Sequence, residues 1–253
     1  MRAGVEGGET LFGTWVNMVH SPSIITLLKA AGLDFARIDM EHSAFSMETI
    51  AQYASVGRAL DFGIVVRPPE ANREWITRLL DVGVWNLHCP QVDTAKQAAE
   101  IVQASRYAPM GSRGMAGLTP AMDFDLSGTE ASRAEYTNSQ VYVTVMLECA
   151  SAFDELDDIA SMPGIDALTL GPTDLAQDLG VYGTPDMGPV LDEHRDRIVA
   201  AAKKYGKTTA MLVNSYEQAL QWKAAGAQLL AYSSDVGVML EGFKKAIAAF
   251  KGG

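Results

Sequence analysis

Two short apolar runs, Tyr142–Leu147 and Ala167–Leu170, each end in a carboxylate. Glu148 follows the first directly, and Asp174 follows the second after the turn Gly171-Pro172-Thr173. Both runs are rich in Val, Leu and Thr and short enough to be buried strands. A segment of helical period, residues 152–160, lies between them. A strand-helix-strand unit lays its strands side by side and parallel, so both carboxylates emerge at one edge of one sheet. Two oxygen donors converging there, with Cys149 the only thiol or imidazole nearby in sequence, suit a hard divalent cation such as Mg²⁺. Asp and Glu are also ordinary helix-start residues, so Glu148 as a cap and Asp174 as a helix opener remain open on spacing alone.

The segments around this unit repeat its rhythm. Strands are expected over residues 11–17, 34–39, 63–66, 84–89, 142–147, 167–170, 208–213 and 228–232. Helical patterns follow them over 24–30, 46–60, 72–81, 93–105, 152–160, 188–205, 216–225 and 236–250, with a short extra helix over 175–180. Ser21-Pro22-Ser23 opens the first helix, and Gly32, Gly63, Gly83, Gly164, Gly206 and Gly226 stand where helices give way to strands. Arg67-Pro68-Pro69 stops the third strand, since neither proline can donate to a ladder. Residues 106–140 break the pattern: the early part reads as a long loop on the active face, and 128–138 as a further helix. Regular alternation means a parallel sheet, and eight units of this length mean an α/β fold of the (β/α)₈ TIM-barrel type, a single domain over residues 1–253. A doubly wound open sheet is the alternative; it lacks a Gly-rich dinucleotide or phosphate turn after any strand.

Composition narrows the partners. The chain is 48% hydrophobic with a net charge of −11. Nucleic acid and anionic membranes want clustered Lys and Arg, so neither is an expected partner. No run reaches transmembrane length, and the N-terminal residues carry no apolar signal core. Two cysteines, Cys89 and Cys149, each at a strand end, fit a reducing, cytoplasmic setting.

In a barrel the active site lies at the C-terminal ends of the strands. Those ends carry His20, Asp39/Glu41/His42, Arg67, His88/Gln91, Glu148, Asp174, Asn214 and Ser233/Asp235. Such a ring can hold a cation through carboxylates, an anion through Arg67 and a proton at His42. Arg67 could equally pair with Asp39 or Glu41, and His42 could be structural. No strand ends in Lys, which disfavours a Schiff base, and neither Cys has a C-x-x-C partner for a thiolate zinc site. What remains is metal-assisted chemistry on an oxyacid, with His42 moving a proton.

Several motifs, in order, resemble the HpcH/HpaI aldolase family over roughly residues 11–236. They are Asp-x-Glu-His at 39–42, Arg-Pro-Pro at 67–69, Leu-Leu-Asp-Val-Gly at 79–83, Arg-Tyr-x-Pro-x-Gly-x-Arg-Gly at 106–114 and Gly-Pro-x-Asp-Leu at 171–175. The resemblance implies a metal-dependent lyase that cleaves a 4-hydroxy-2-oxo acid, in the manner of 4-hydroxy-2-oxoheptanedioate, to pyruvate or a close 2-oxo acid and an aldehyde. It implies Glu148 and Asp174 as the protein ligands of Mg²⁺, Mn²⁺ or Co²⁺, chelated by the 2-oxo acid. Backbone N–H groups around Gly171, Pro172, Thr173 and Asp174 would hold the substrate carboxylate, Arg67 the developing enolate oxygen. His42 would take the 4-hydroxyl proton through a metal-bound water. Asp81 matches the acid that raises the basicity of that His, although the end of its helix should lie on the opposite barrel face unless the pairing crosses a subunit boundary. A homo-oligomer is implied, a hexamer built from dimers that exchange C-terminal helices. The stripe Val236, Met239, Leu240, Phe243, Ile247 fits that docking and fits packing on the chain's own barrel as well.

Two positions depart from the family pattern. Met146 stands where relatives commonly carry a Gln that orients a metal water, and a thioether is only a weak acceptor. His88 replaces an apolar residue. Two further readings stay open: a condensing synthase on the same scaffold, and a catalytically silent barrel that binds a small acid, which Met146 favours.

Overall fold

The computed structural model describes residues 1–125 and 127–252; Leu126, in the irregular stretch, and Gly253, at the end of the expected domain, lie outside the described residues. Eight parallel strands close into one barrel in sequence order. They are β1 (Leu11–Val16), β2 (Phe35–Asp39), β3 (Gly63–Arg67), β4 (Asn86–Cys89), β5 (Tyr142–Leu147), β6 (Ala167–Leu170), β7 (Thr208–Val213) and β8 (Leu229–Ser234). Closure runs through β8 and β1, where Leu11 faces Leu229 and Gly13 faces Ala231 before the register shifts. This is the (β/α)₈ architecture expected from the alternation.

The outer layer begins with α1 (Arg2–Glu6), then α2 (Ser23–Ala30), α3 (Met47–Ala59), α4 (Arg73–Asp81) and α5 (Ala95–Ser105). It continues with α6 (Glu130–Gln140), α7 (Ala150–Asp154), α8 (Leu156–Ser161), α9 (Pro172–Asp178), α10 (Met187–Tyr205), α11 (Tyr216–Ala225) and α12 (Asp235–Gly252). Local chemistry sets the starts: the Ser46, Asn72 and Ser215 side chains accept the N–H of Thr49, Trp75 and Gln218. Thr94 and Gln97 form a full capping box on α5. The single helix expected over 152–160 is two short ones meeting at Glu155. Among the described residues no helix is long and apolar enough to cross a membrane.

Every residue of β2, β3, β5 and β6 is buried because each strand packs on both faces. One set faces the helices: Ile38, Val66, Leu87, Val143, Val145 and Leu168 join Ile50, Ile76, Leu80 and Ile101 in a continuous core. Truncating such a side chain to Ala costs about 2–5 kcal/mol. The other set points inward. Leu11, Phe35, Val65, Tyr142, Ala167, Ala210 and Leu229 fill the lower barrel and are covered from below by Met1 and Val5. The sequence reading contained no helix there. Residues 2–6 are held by Arg2, which donates to Asp166 Oδ1 at 2.8 Å, and by Gln228, which donates to the Val5 carbonyl at 3.0 Å. Both anchors are long-range contacts with no local signature.

Candidate active site

Counting upward by two from that apolar plug gives the composition of the barrel mouth. β1 leads from Leu11 through Trp15 to Asn17, β2 from Phe35 through Arg37 to Asp39, and β3 from Val65 to Arg67. β5 leads from Tyr142 through Thr144 and Met146 to Glu148, β6 from Ala167 through Thr169 to Gly171, and β7 from Ala210 through Leu212 to Asn214. A cavity of about 590 Å³ opens there, lined among others by Trp15, Asn17, Asp39, His42, Arg67 and Asp174. Met146, Gly171, Pro172, Thr173 and Asn214 complete much of its wall.

Arg67 is the centre of a tight ionic array. Its Nε and Nη2 donate to the two oxygens of Asp39 at 3.0 and 2.8 Å, a bidentate fork. Nη1 stands 3.1 Å from Glu41 Oε2, and the guanidinium lies over the Trp15 ring, 4.8 Å from its centroid. The ion pairs left open by the sequence are therefore both made. A guanidinium has five N–H groups, so two remain for a ligand. Asp39 is further fixed by the N–H groups of Glu41 and His42, at 3.0 and 3.3 Å.

Glu148 sits at the top of β5, 5% exposed. Its Oε1 accepts the Gln91 N–H at 2.6 Å. Gln91 holds a left-handed backbone, φ +54°, uncommon for a residue with a Cβ, which turns that N–H toward the carboxylate. The same side chain packs on Gly171: a Cβ there would collide with Glu148 Oε2, and would stand 2.9 Å from Met146 Cε. Glycine at 171 thus makes room for the acid. Burial pushes the Glu148 carboxyl up to about 7; the negative charges of Asp174 and Glu41 add to this, while the Gln91 N–H and Arg67 oppose it. Glu41 is raised too, first by burial, with Arg67 pulling down and Asp39 and Asp174 adding.

Asp174 lies in the first turn of α9, whose first backbone bond runs from the Leu175 N–H to Gly171 O at 3.1 Å. The N–H groups of Thr173 and Asp174 precede that bond, and Pro172 contributes none. Asp39 and Glu41 thus pair with the guanidinium, and Glu148 and Asp174 stand near enough for their charges to act on each other's neighbourhood and on Glu41. A divalent cation fits this donor set: it is oxygen-only, anionic in excess, and the Glu148 carboxyl is raised first by burial and then by its acidic neighbours. Among the described residues no group of three or more His, Cys, Asp or Glu side chains has metal-holding geometry. A cation held by Glu148 and Asp174 would therefore take its other ligands from water or substrate, as Mg²⁺ commonly does.

His42 lines the same cavity, its side chain 62% exposed and Nε2 3.6 Å from Glu41 Oε2. Asp81 is elsewhere. It ends α4, and its Oδ1 accepts from Arg113 Nη2 at 2.6 Å. Within one protomer its partner is Arg113, not His42. His20 stacks on Phe45, with centroids 4.5 Å apart, and Asp235 receives the N–H groups of Asn17, Met18 and Val19. His88 is buried beneath the cavity, where burial and then Arg37 and Arg67 hold it well below its ordinary pKa. Trp15 and Asn17 were absent from the ring read at the strand ends. Stepping by two along β1 would have found them.

Comparison with known proteins gives this arrangement a context. The sequence model described as HpcH/HpaI aldolase/citrate lyase matches residues 11–241. A 2-keto-3-deoxy-L-rhamnonate aldolase of Klebsiella pneumoniae subsp. pneumoniae is 33% identical, over 99% of this chain and 92% of its own. The crystal structure of an HpcH/HpaI aldolase from Desulfitobacterium hafniense superposes with a TM-score of 0.92 at 28% identity, covering 99% of this chain and 96% of that one. A citrate synthase, SbnG, superposes with a TM-score of 0.89 at 26% identity, covering 99% and 97%.

Proposed function

From the premise that this chain belongs to the HpcH/HpaI aldolase/citrate lyase family and is an aldolase, we propose that it is a divalent-metal-dependent lyase. Its substrates would be 4-hydroxy-2-oxo acids of the keto-deoxy sugar acid kind, cleaved to pyruvate or a close 2-oxo acid and an aldehyde. The observation that carries this reading is the excess of carboxylates around Arg67, with Glu148 raised to about 7 by burial and by its acidic neighbours. Glu148 and Asp174 hold the cation, which when bound supplies a Lewis acid for the carboxylate and keto oxygens of the substrate. The choice among Mg²⁺, Mn²⁺ and Co²⁺ follows the family.

The chain's own residues do the rest. The Thr173 and Asp174 N–H groups, beside Gly171 and Pro172, receive the substrate carboxylate. His42 takes the proton of the 4-hydroxyl. The C3–C4 bond breaks, the aldehyde carbonyl forms, and the electron pair passes into the 2-oxo group as an enolate. The two free N–H groups of Arg67 face that oxygen, and protonation of C3 completes the 2-oxo acid. Asp39 and Glu41 keep the guanidinium aimed. Asp81 can serve His42 only from a neighbouring protomer, and in that role it would trade its bond with Arg113.

Assembly belongs to the same proposal. Helix α12 leaves Leu240, Phe243, Ile247 and Phe250 half or more exposed, Phe250 at 83%. The stripe docks on a second copy in a homo-oligomer, a hexamer arranged as a trimer of dimers. The test of function is pyruvate release from 4-hydroxy-2-oxo acids. Activity is lost with chelator, regained with Mg²⁺, Mn²⁺ or Co²⁺, and lost in His42→Ala, and borohydride leaves no pyruvate adduct. A covalent adduct would refute it. The likeness to a citrate synthase supports a second reading, condensation through an oxaloacetate-derived enolate; a condensation product from oxaloacetate and an acceptor, without retro-aldol turnover, would select it.

A further inference from the structure

Beneath the cavity floor the barrel holds a polar cluster that the proposed reaction does not use. Arg37 points inward from β2, between Phe35 below and Asp39 above, and is 1% exposed. Its Nε and Nη2 have no hydrogen-bond partner. His88 on β4 is equally buried; its Nε2 meets Met146 Sδ at 3.3 Å, and its Nδ1 has no partner. Trp15 joins the two, with the Arg37 guanidinium 5.3 Å from its ring centroid and the His88 ring edge-on at 5.4 Å. Thr144, facing His88 across the β4–β5 ladder, and Thr169 are buried on the same inner wall.

The charge on Arg37 is what makes this cluster unusual. A buried cation is strongly disfavoured unless a counter-charge and hydrogen-bond partners meet it. The charged group that acts on Arg37 is Arg67, itself cationic and already engaged by Asp39 and Glu41. Burial and Arg67 lower the Arg37 pKa only to about 9, so at neutral pH it keeps its proton. Water would satisfy the N–H groups but leave the charge unopposed. An anion answers both.

We infer that the Arg37 guanidinium and the His88 Nδ1–H together bind a small monovalent anion of the halide class inside the barrel, beneath the active-site floor. A thioether is a weak acceptor, so the single proton of a neutral His88 is better placed on Nδ1 against an anion than on Nε2 against Met146. The buried hydroxyls of Thr144 and Thr169 are further donors on that wall. The occupant is small because Trp15 and Phe35 pack on the guanidinium and Met146 lies against His88.

The test uses the whole protein. Crystals equilibrated with bromide should give an anomalous peak beside Arg37 and His88. In solution, the melting temperature of chelator-treated protein should rise with chloride when gluconate holds the ionic strength constant, in the graded manner of ligand binding to the folded state. Arg37→Met should abolish that rise; His88→Leu, which keeps the guanidinium, should weaken it and serves if Arg37→Met fails to fold. The inference is overturned by water alone at the bromide position or by melting indifferent to chloride. A chloride response unchanged in both variants also overturns it. Stabilisation by oxamate but not by halide would assign the space to a substrate carboxylate and overturn it too.

Discussion

Glu148→Gln tests the electrostatics of the site separately from catalysis. The substitution keeps shape and an oxygen for the Gln91 N–H but removes the charge. In the folded protein the Glu148 carboxyl is raised from its ordinary 4.5 to about 7. An acid raised by folding binds more protons folded than unfolded between those values, so stability falls as pH climbs through that window. The loss begins near 4.5 and is complete above about 7. With each pH unit worth about 1.4 kcal/mol, the full penalty is about 3 kcal/mol. At pH 8 in chelator, Glu148→Gln should therefore be more stable than the parent by about that amount. For a chain of this size it corresponds to a melting temperature higher by roughly 6–12 °C. At pH 4.5 the two should melt together. Divalent cation should restore the parent, since a ligand at a hundred times its Kd adds about 2.7 kcal/mol, and should leave the variant unmoved. The assay is thermal unfolding by circular dichroism at both pH values, with and without Mn²⁺. Equal stability of the two proteins at pH 8 in chelator would refute the claim that burial and acidic neighbours disfavour the Glu148 charge.

Other substitutions probe neighbouring features. Gly171→Ala places a methyl against the Glu148 carboxylate and Met146; a cost of about 1–3 kcal/mol is expected, together with weaker Mn²⁺ binding by calorimetry, and unchanged metal affinity would show that Glu148 does not need the space. Arg67→Lys gives up the fork to Asp39, and kcat should fall about 10²–10³-fold, the usual cost of one lost oxyanion donor; a rate within threefold of the parent would make Arg67 only a scaffold for Asp39. Phe243→Glu with Ile247→Glu should reduce the assembly seen by analytical ultracentrifugation, and an unaltered mass would show that α12 does not hold protomers together.

The positions of the strands and many of the residues at the mouth were legible because a parallel barrel strand is short, apolar and punctuated by Gly or Pro. The end of the run at Leu147 announces Glu148 without any knowledge of packing. What lies below the mouth was less legible. Arg37 sits in Phe-Ala-Arg-Ile-Asp, a strand buried on both faces, and nothing in that run says which face receives the guanidinium until Phe35 is placed in the lower plug. Nothing local marks the break at Glu155, because its carboxylate is used at long range, accepting the Ala95 N–H at 2.7 Å. Asp81 ends α4 and pairs with Arg113 within the protomer, so the pairing with His42 that the resemblance implies needs a neighbouring copy, which no single-chain pattern displays.

The hold on Glu148 comes from the main chain of Gln91 in an uncommon conformation. An alanine scan would pass over it, because alanine at 91 retains the same N–H and forfeits only the longer amide contact to Glu41, 3.4 Å. The aim of the acid is thus written into the path of a loop, and only changes that re-route that path, such as proline at 91 or a deletion beside it, would expose the dependence. If Glu148 and Asp174 hold the cation as proposed, exchange of the β4 loop between relatives would therefore alter ion binding without touching either acid.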